Sequence, residues 1–220
     1  MKLFKQLFAL IVALGAAAFS APAMAQEAPD ALVKRISQEV IDAAKTDKEI
    51  QAGNTKRVLE LVESKVLPHV NFQRMTSLAA GRFWRDATPE QQKQLTTEFR
   101  SLLVYTYSGA ISQIKDQKLE FKPMRGDLAV DTEVEVRSQV LQPRGEPIQL
   151  NYRLEKTPSG WKIYDVNVLG AWLVETYKGN FAAEISKGGV DGLIKALSDK
   201  NKRLAASAAK TVKKASTSAL

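Results

Sequence analysis

The chain is 220 residues long, with no cysteine, a single histidine and a formal net charge of +8. The missing cysteines exclude a thiol nucleophile, a thiolate metal site and a disulfide framework. One histidine cannot assemble the usual zinc ligand sets, so no metal is expected. Stability must come from an ordinary apolar core, and the length suits one domain. The charge is unevenly placed: acidic and basic residues balance over 26–185, and the excess sits in Lys2, Lys5 and the stretch from Ser186 to Leu220. The body is therefore neutral. Nucleic acid, which calls for a basic patch on a folded surface, is not expected as a partner.

Taken in chain order, the N-terminus pairs Lys2 and Lys5 with the apolar run "LFALIVALGAAAF" and then Ala23-Met24-Ala25. This is the pattern of a secretory signal cleaved after Ala25. The run is shorter than the ~20 residues a spanning helix needs. The mature chain is read as an exported protein of a bacterial periplasm, with one domain over 26–200.

Leu32, Ile36, Val40 and Ala44 recur at helical spacing after Pro29-Asp30, and Val58, Leu61, Val62 and Val66 form a second stripe stopped by Pro68. A short helix is expected over 71–80, ending at Gly81. Thr88, Pro89 and Gln91 supply an N-cap, a first helical position and a capping box. The stripe that follows, from Leu95 through Phe99, Leu102, Leu103 and Ala110 to Ile114, predicts the longest helix. From Lys118 the period falls to two: Val130, Val134, Val136 and Val140 alternate with Asp131, Glu133, Glu135 and Arg137. Ile148, Leu150, Tyr152 and Leu154 form the next strand, and "WKIYDVNV" the one after the turn at Pro158-Ser159-Gly160. Short connections between alternating strands imply an antiparallel meander of about four strands. Helices gathered on one face make an α+β domain.

After the last strand, "LGAW" sets large apolar side chains at a corner where polar turn residues are usual. Leu173, Tyr177 and Phe181 then recur every fourth residue, and "GVDGLIKAL" adds one more short helix. Residues 201–220 have few large apolar side chains and are expected to form a basic tail without a fold of its own. Such a tail is also suited to anionic headgroups.

Catalytic motifs are absent: there is no G-x-S-x-G, P-loop or dinucleotide fingerprint. His69 stands beside a proline at a helix end and reads as structural. Asp131, Glu133 and Glu135 alternate as a solvated strand face does. Arg82 and Arg85 flank Phe83 and Trp84 at a helix break and are candidates for contact with a headgroup phosphate or a partner.

Three blocks, "VLPHVNFQRMTSLAAGRFWRDATPEQQKQLTTEFRSLLVYTY", "GEPIQLNYRLEKTPSGWKIYDVNVLGAWLVETYKGNF" and "GVDGLIKAL", stand in order behind the signal. Together they resemble the periplasmic phospholipid-carrying component of the Mla (toluene-tolerance) transport system. The resemblance implies an α+β fold in which a twisted antiparallel sheet and helices enclose an apolar lipid cavity. It implies phospholipid as cargo rather than cofactor, and exchange between an outer-membrane lipoprotein complex and an inner-membrane ABC-type lipid transporter complex, so that outer-membrane lipid asymmetry is maintained. The protein is taken as a monomer and not an enzyme. Residues assigned to the lining are Leu78, Phe99, Leu103, Val134, Val136, Leu150, Tyr152, Val166, Val168, Ala171, Trp172 and Val174, with Leu169 joining Ala171 and Trp172 at the mouth or wall. Where the family commonly has Gly-Val-Ser after the last strand, this chain has Gly170-Ala171-Trp172. Two other classes stay open. A small-molecule enzyme or binding module on this frame requires a polar pair inside the cavity; a periplasmic chaperone requires an exposed apolar groove instead.

Overall fold

Leu32, Val33, Ile36, Ile41 and Ala44 fall on one side of helix α1 (Pro29–Thr46) and are buried. Leu32, Val33 and Ile36 lie against the sheet and Ala44 against Ile50, Val58 and Val62 of the next helices, because an apolar helical stripe must bury itself on a neighbouring layer. The computed structural model describes residues 26–143 and 145–217. The expected signal segment, residues 1–25, lies outside the described residues. After α1 come α2 (Lys48–Gln51), α3 (Thr55–Lys65), a 3₁₀ turn (Leu67–His69), α4 (Phe72–Ala80), α5 (Phe83–Asp86) and α6 (Pro89–Ile111). Asn71 caps α4 by accepting from the Arg74 N–H at 3.0 Å. At the start of α6 the capping box forms in full, with Thr88 and Gln91 satisfying each other's backbone N–H.

The sheet is a meander in the order β1 (Lys118–Phe121), β2 (Glu133–Leu141), β3 (Ile148–Thr157), β4 (Gly160–Val168), β5 (Ala171–Trp172), antiparallel throughout. The α+β class expected from the sequence is the one observed, with a fifth, two-residue strand beyond the four expected. That strand comes from the "LGAW" corner. Leu169 (φ 54°) and Gly170 (φ 88°) both take positive φ and close a two-residue hairpin. Val130, expected in β2, lies outside it and is 72% exposed. Here Asp127 takes the backbone N–H of Ala129 on its side chain and those of Val130 and Asp131 on its carbonyl, a local turn that competes with strand pairing.

Helix α7 (Leu173–Thr217) is two arms broken at Gly188 and Gly189; Gly189 holds φ 66° and ψ −168°, a conformation suited to glycine. The second arm corrects an expectation: residues 201–217 are helical rather than a tail without structure. The buried Asn201 donates to the Glu98 carbonyl at 2.9 Å and to its Oε2 at 2.7 Å, and Leu204 packs against the helical core. Those anchors, with Ala, Lys and Arg around them, carry the helix onward despite its lack of large apolar residues.

Removing the α6 cap by Thr88→Ala should lower stability by about 1 kcal/mol with an unchanged urea m-value. An unaltered midpoint would mean that other contacts hold this helix end.

Candidate functional site

Register decides which side chains meet between sheet and helices. Directly paired residues share a face. Leu119, Phe121, Val134, Val136, Val140, Ile148, Leu150, Tyr152, Leu154, Trp161, Ile163, Val166 and Val168 therefore line one face, called inner here. One apolar cluster joins α1 to this face through Leu32, Val33, Ile36, Val134, Val136, Tyr152, Leu154, Trp161 and Ile163. A second joins α4, α6 and α7 through Met75, Leu95, Phe99, Leu103, Val174, Tyr177 and Phe181. Val70 and Val166 touch both clusters, so the two meet in one continuous apolar seam.

The seam is graded. Leu154 is 0% exposed and Val136 2%. Toward the other end of the strands Val140, Ile148, Leu150 and Val168 are only half-buried. The seam thus opens at the rim formed by the ends of β2 and β4 and the start of β3. Ser138 and Tyr152 are its polar exceptions on the sheet. The Tyr152 hydroxyl hydrogen-bonds with Ser37 and Ser138, and burial pushes its pKa up to about 12, so it stays neutral. The Ser138 hydroxyl also reaches the Leu150 carbonyl.

The outer face is polar and tightly paired. Glu133 and Glu155 stand directly opposite each other on β2 and β3, a repulsive arrangement on its own. Arg74 of α4 resolves it by donating one guanidinium nitrogen to each carboxylate, with its guanidinium 3.9 Å from the Tyr164 ring centroid. Glu133 also accepts from the Tyr164 hydroxyl at 2.7 Å. Arg74 and Tyr164 hold the Glu133 carboxyl below its usual range. Asp165 is almost fully buried and accepts from the N–H groups of Val166 (2.9 Å) and Val174 (3.1 Å). Burial raises its pKa.

The family model for the MlaC protein matches residues 34–199. The chain belongs to the MlaC family. It is 47% identical to a solved phospholipid-binding protein from Ralstonia solanacearum, crystallised in complex with a phospholipid, with a TM-score of 0.76 over 80% of this chain and 98% of that one. It is 23% identical to the intermembrane phospholipid transport system binding protein MlaC of Haemophilus influenzae, over 78% of this chain and 81% of the relative. Toluene tolerance protein ttg2D of Pseudomonas putida is 24% identical, over 80% of this chain and 81% of the relative.

In this MlaC-family chain, most of the residues assigned to a lining converge on the seam. Phe99, Leu103 and Val174 stand in the helical cluster with Val168 against it. Val134, Val136 and Tyr152 stand in the sheet cluster with Leu150, and Val166 belongs to both. Ala171 pairs with Val168 and is exposed at the rim. Three assignments need correction. Leu78 lies on the solvent side of α4, where Met75, Thr76, Ala79 and Ala80 take the buried positions. Trp172 pairs with Asn167 on the outer face and stacks 3.9 Å from the Arg153 guanidinium, so it does not enter the seam. Leu169 sits at the hairpin tip, 72% exposed.

Arg82 and Arg85 are exposed, with Arg82 4.9 Å from the Phe83 ring centroid. His69 is half-buried in its 3₁₀ turn, and burial together with nearby Arg35 and Lys162 lowers its pKa. The lining assigned from the sequence omits the deep residues Leu154, Trp161 and Ile163, although Leu154 continues the alternation of β3 and Trp161 and Ile163 that of β4. The sequence reading also missed Arg74, whose role no local pattern marks.

Replacing Arg74 with Gln should leave Glu133 and Glu155 opposed. The folded pKa of Glu133 lies below 4.5, so its contribution is complete above that value and is lost as pH falls through the folded pKa. The stability difference between wild type and Arg74→Gln, measured by urea denaturation, should therefore be largest near neutrality and shrink toward pH 3. A difference independent of pH would assign Arg74 a packing role only.

Proposed function

We propose that the chain is a periplasmic phospholipid carrier that takes acyl chains into the seam between the inner sheet face and the helices. The observation that carries this reading is the 47% identity, over 80% of this chain and 98% of the other, to the Ralstonia protein in complex with a phospholipid. The chain's own physics agrees. Each methylene taken from water is worth ~0.8 kcal/mol, so acyl chains cannot cross an aqueous space exposed. A seam walled by Val134, Val136, Leu150, Val166, Val168, Phe99, Leu103 and Val174 supplies the burial, and no bond needs to be made or broken.

Acyl chains enter between the half-buried residues at the rim, parting the layers toward Tyr152, while the headgroup stays in water near Ala171. A bilayer offers the same burial, so loading and release lie near balance. Direction then comes from partners: an outer-membrane lipoprotein complex on one side and an inner-membrane ABC-type transporter complex on the other.

Organic extraction of the purified mature protein should yield diacyl phospholipid at a fixed ratio to protein. Ala171→Glu at the exposed rim, and Leu150→Glu further in, place a carboxylate against hydrocarbon, which costs several kcal/mol unless water reaches it. Both should reduce retained lipid tenfold or more, while Ala171→Glu leaves the melting temperature of the delipidated protein within a few degrees of wild type. Lipid-free wild type that takes up no labelled phospholipid from vesicles would overturn the reading.

A further inference from the structure

The second arm of α7 is lopsided in charge. Leu193, Ile194, Leu197 and Asn201 are buried and Leu204 packs on the helical core, which fixes the inward side of the arm. At 100° per residue the remaining arc belongs to solvent. Lys195, Lys200, Lys202 and Arg203 are exposed on it. Of the arm's two acids, Asp199 is taken up by Lys195 at 2.6 Å and faces Lys202 at 3.9 Å, and Asp191 accepts from the Gln91 side-chain amide at 2.8 Å. Lys210, Lys213 and Lys214 follow in the same helix. Acidic and basic residues balance over 26–185, so this arm holds most of the charge excess of the chain beyond residue 25 and gives it one electropositive end.

We propose that the outward face of this arm is an electrostatic docking surface for bilayers containing anionic phospholipid. Four exposed cations, Lys195, Lys200, Lys202 and Arg203, on the outward side of a helix are what a negatively charged lipid surface attracts. Lysine dominates over arginine, and an ammonium is a hydrated point charge suited to a diffuse planar field, whereas recognition of carboxylates on a protein favours the guanidinium fork. Among the described residues the exposed large apolar side chains, Leu78, Val130 and Leu169, all lie off the arm, so its described face offers neither a protein hot-spot anchor nor a wedge into the acyl region. Adsorption is therefore superficial, salt-sensitive and reversible. The surface is separate from the seam and does not depend on the carrier reading.

The test is flotation of the mature protein with vesicles of phosphatidylcholine alone and of phosphatidylcholine with about one third phosphatidylglycerol, at low and high salt. Wild type should float with the anionic vesicles only, and salt should release it. K200Q/K202Q/R203Q keeps good helix formers, should melt like wild type, and should bind the anionic vesicles on the order of a hundredfold more weakly. Leu150→Glu should adsorb as wild type does even though it loses its lipid, which separates docking from carriage. Equal binding to both vesicles would overturn the proposal, as would full binding by the triple variant. Capture on immobilised polyglutamate without vesicle binding would also overturn it, in favour of an acidic protein partner.

Discussion

Between Ile163 and Asp165, β4 carries one residue more than β3 opposes, since Leu154 pairs with Ile163 and Arg153 with Asp165. Much of the molecule depends on that bulge. In an unbroken strand, the alternation that turns Trp161 and Ile163 inward would turn Asp165 and Asn167 inward as well. The extra residue reverses the phase, so Val166 and Val168 complete the apolar face. Asp165 moves to the opposite side, where its carboxylate receives the Val174 N–H at the start of α7. An acceptor at a helix N-terminus is favourable both as a cap and toward the helix dipole. Next to the bulge, the Ile163 carbonyl accepts from the Asn71 N–H at 2.7 Å, which ties the start of α4 to the same strand. One irregularity thus sets the composition of the seam and the position of the helices that close it.

The two faces of the sheet divide the work. Ion pairs on the outer face are local and specific: Arg74 bridges two opposed carboxylates, and Arg153 lies between Asp165 and Trp172. They hold α4 and the β5 hairpin in place without entering the interior. The inner face is almost wholly apolar and non-directional, which suits a surface that exchanges one set of hydrocarbon contacts for another. Its burial grades from closed at Leu154 to half-open at Leu150 and Val168, which on the proposed function is the entry end.

How much of this was legible depends on the range of the interactions. Helix boundaries governed by local chemistry, such as the Thr88 capping box and the Gly81 stop, can be read directly. Alternation in β2 and β3 names the inner face correctly. Trp172 was misplaced because its apolar character suggests burial, whereas its pairing with Asn167 is set by the hairpin turn at Leu169-Gly170. Leu78 failed for a similar reason, since a single apolar residue on a short helix does not reveal which side is covered. The helical 201–217 arm depends on Asn201 meeting Glu98, about a hundred residues away in sequence, which no window of sequence shows.

The central claim is that hydrocarbon chains lie against the inner face of the sheet. A phospholipid carrying a photoactivatable group near the end of one acyl chain, loaded into the delipidated protein and crosslinked, tests it most directly. The account predicts adducts on inner-face and facing helical residues, chiefly Tyr152, Val166, Leu103 and Val174. Adducts confined to the outer face around Arg153 and Trp172, or to the groove lined by Leu59, Tyr105 and Ala208 on the helical side, would contradict it.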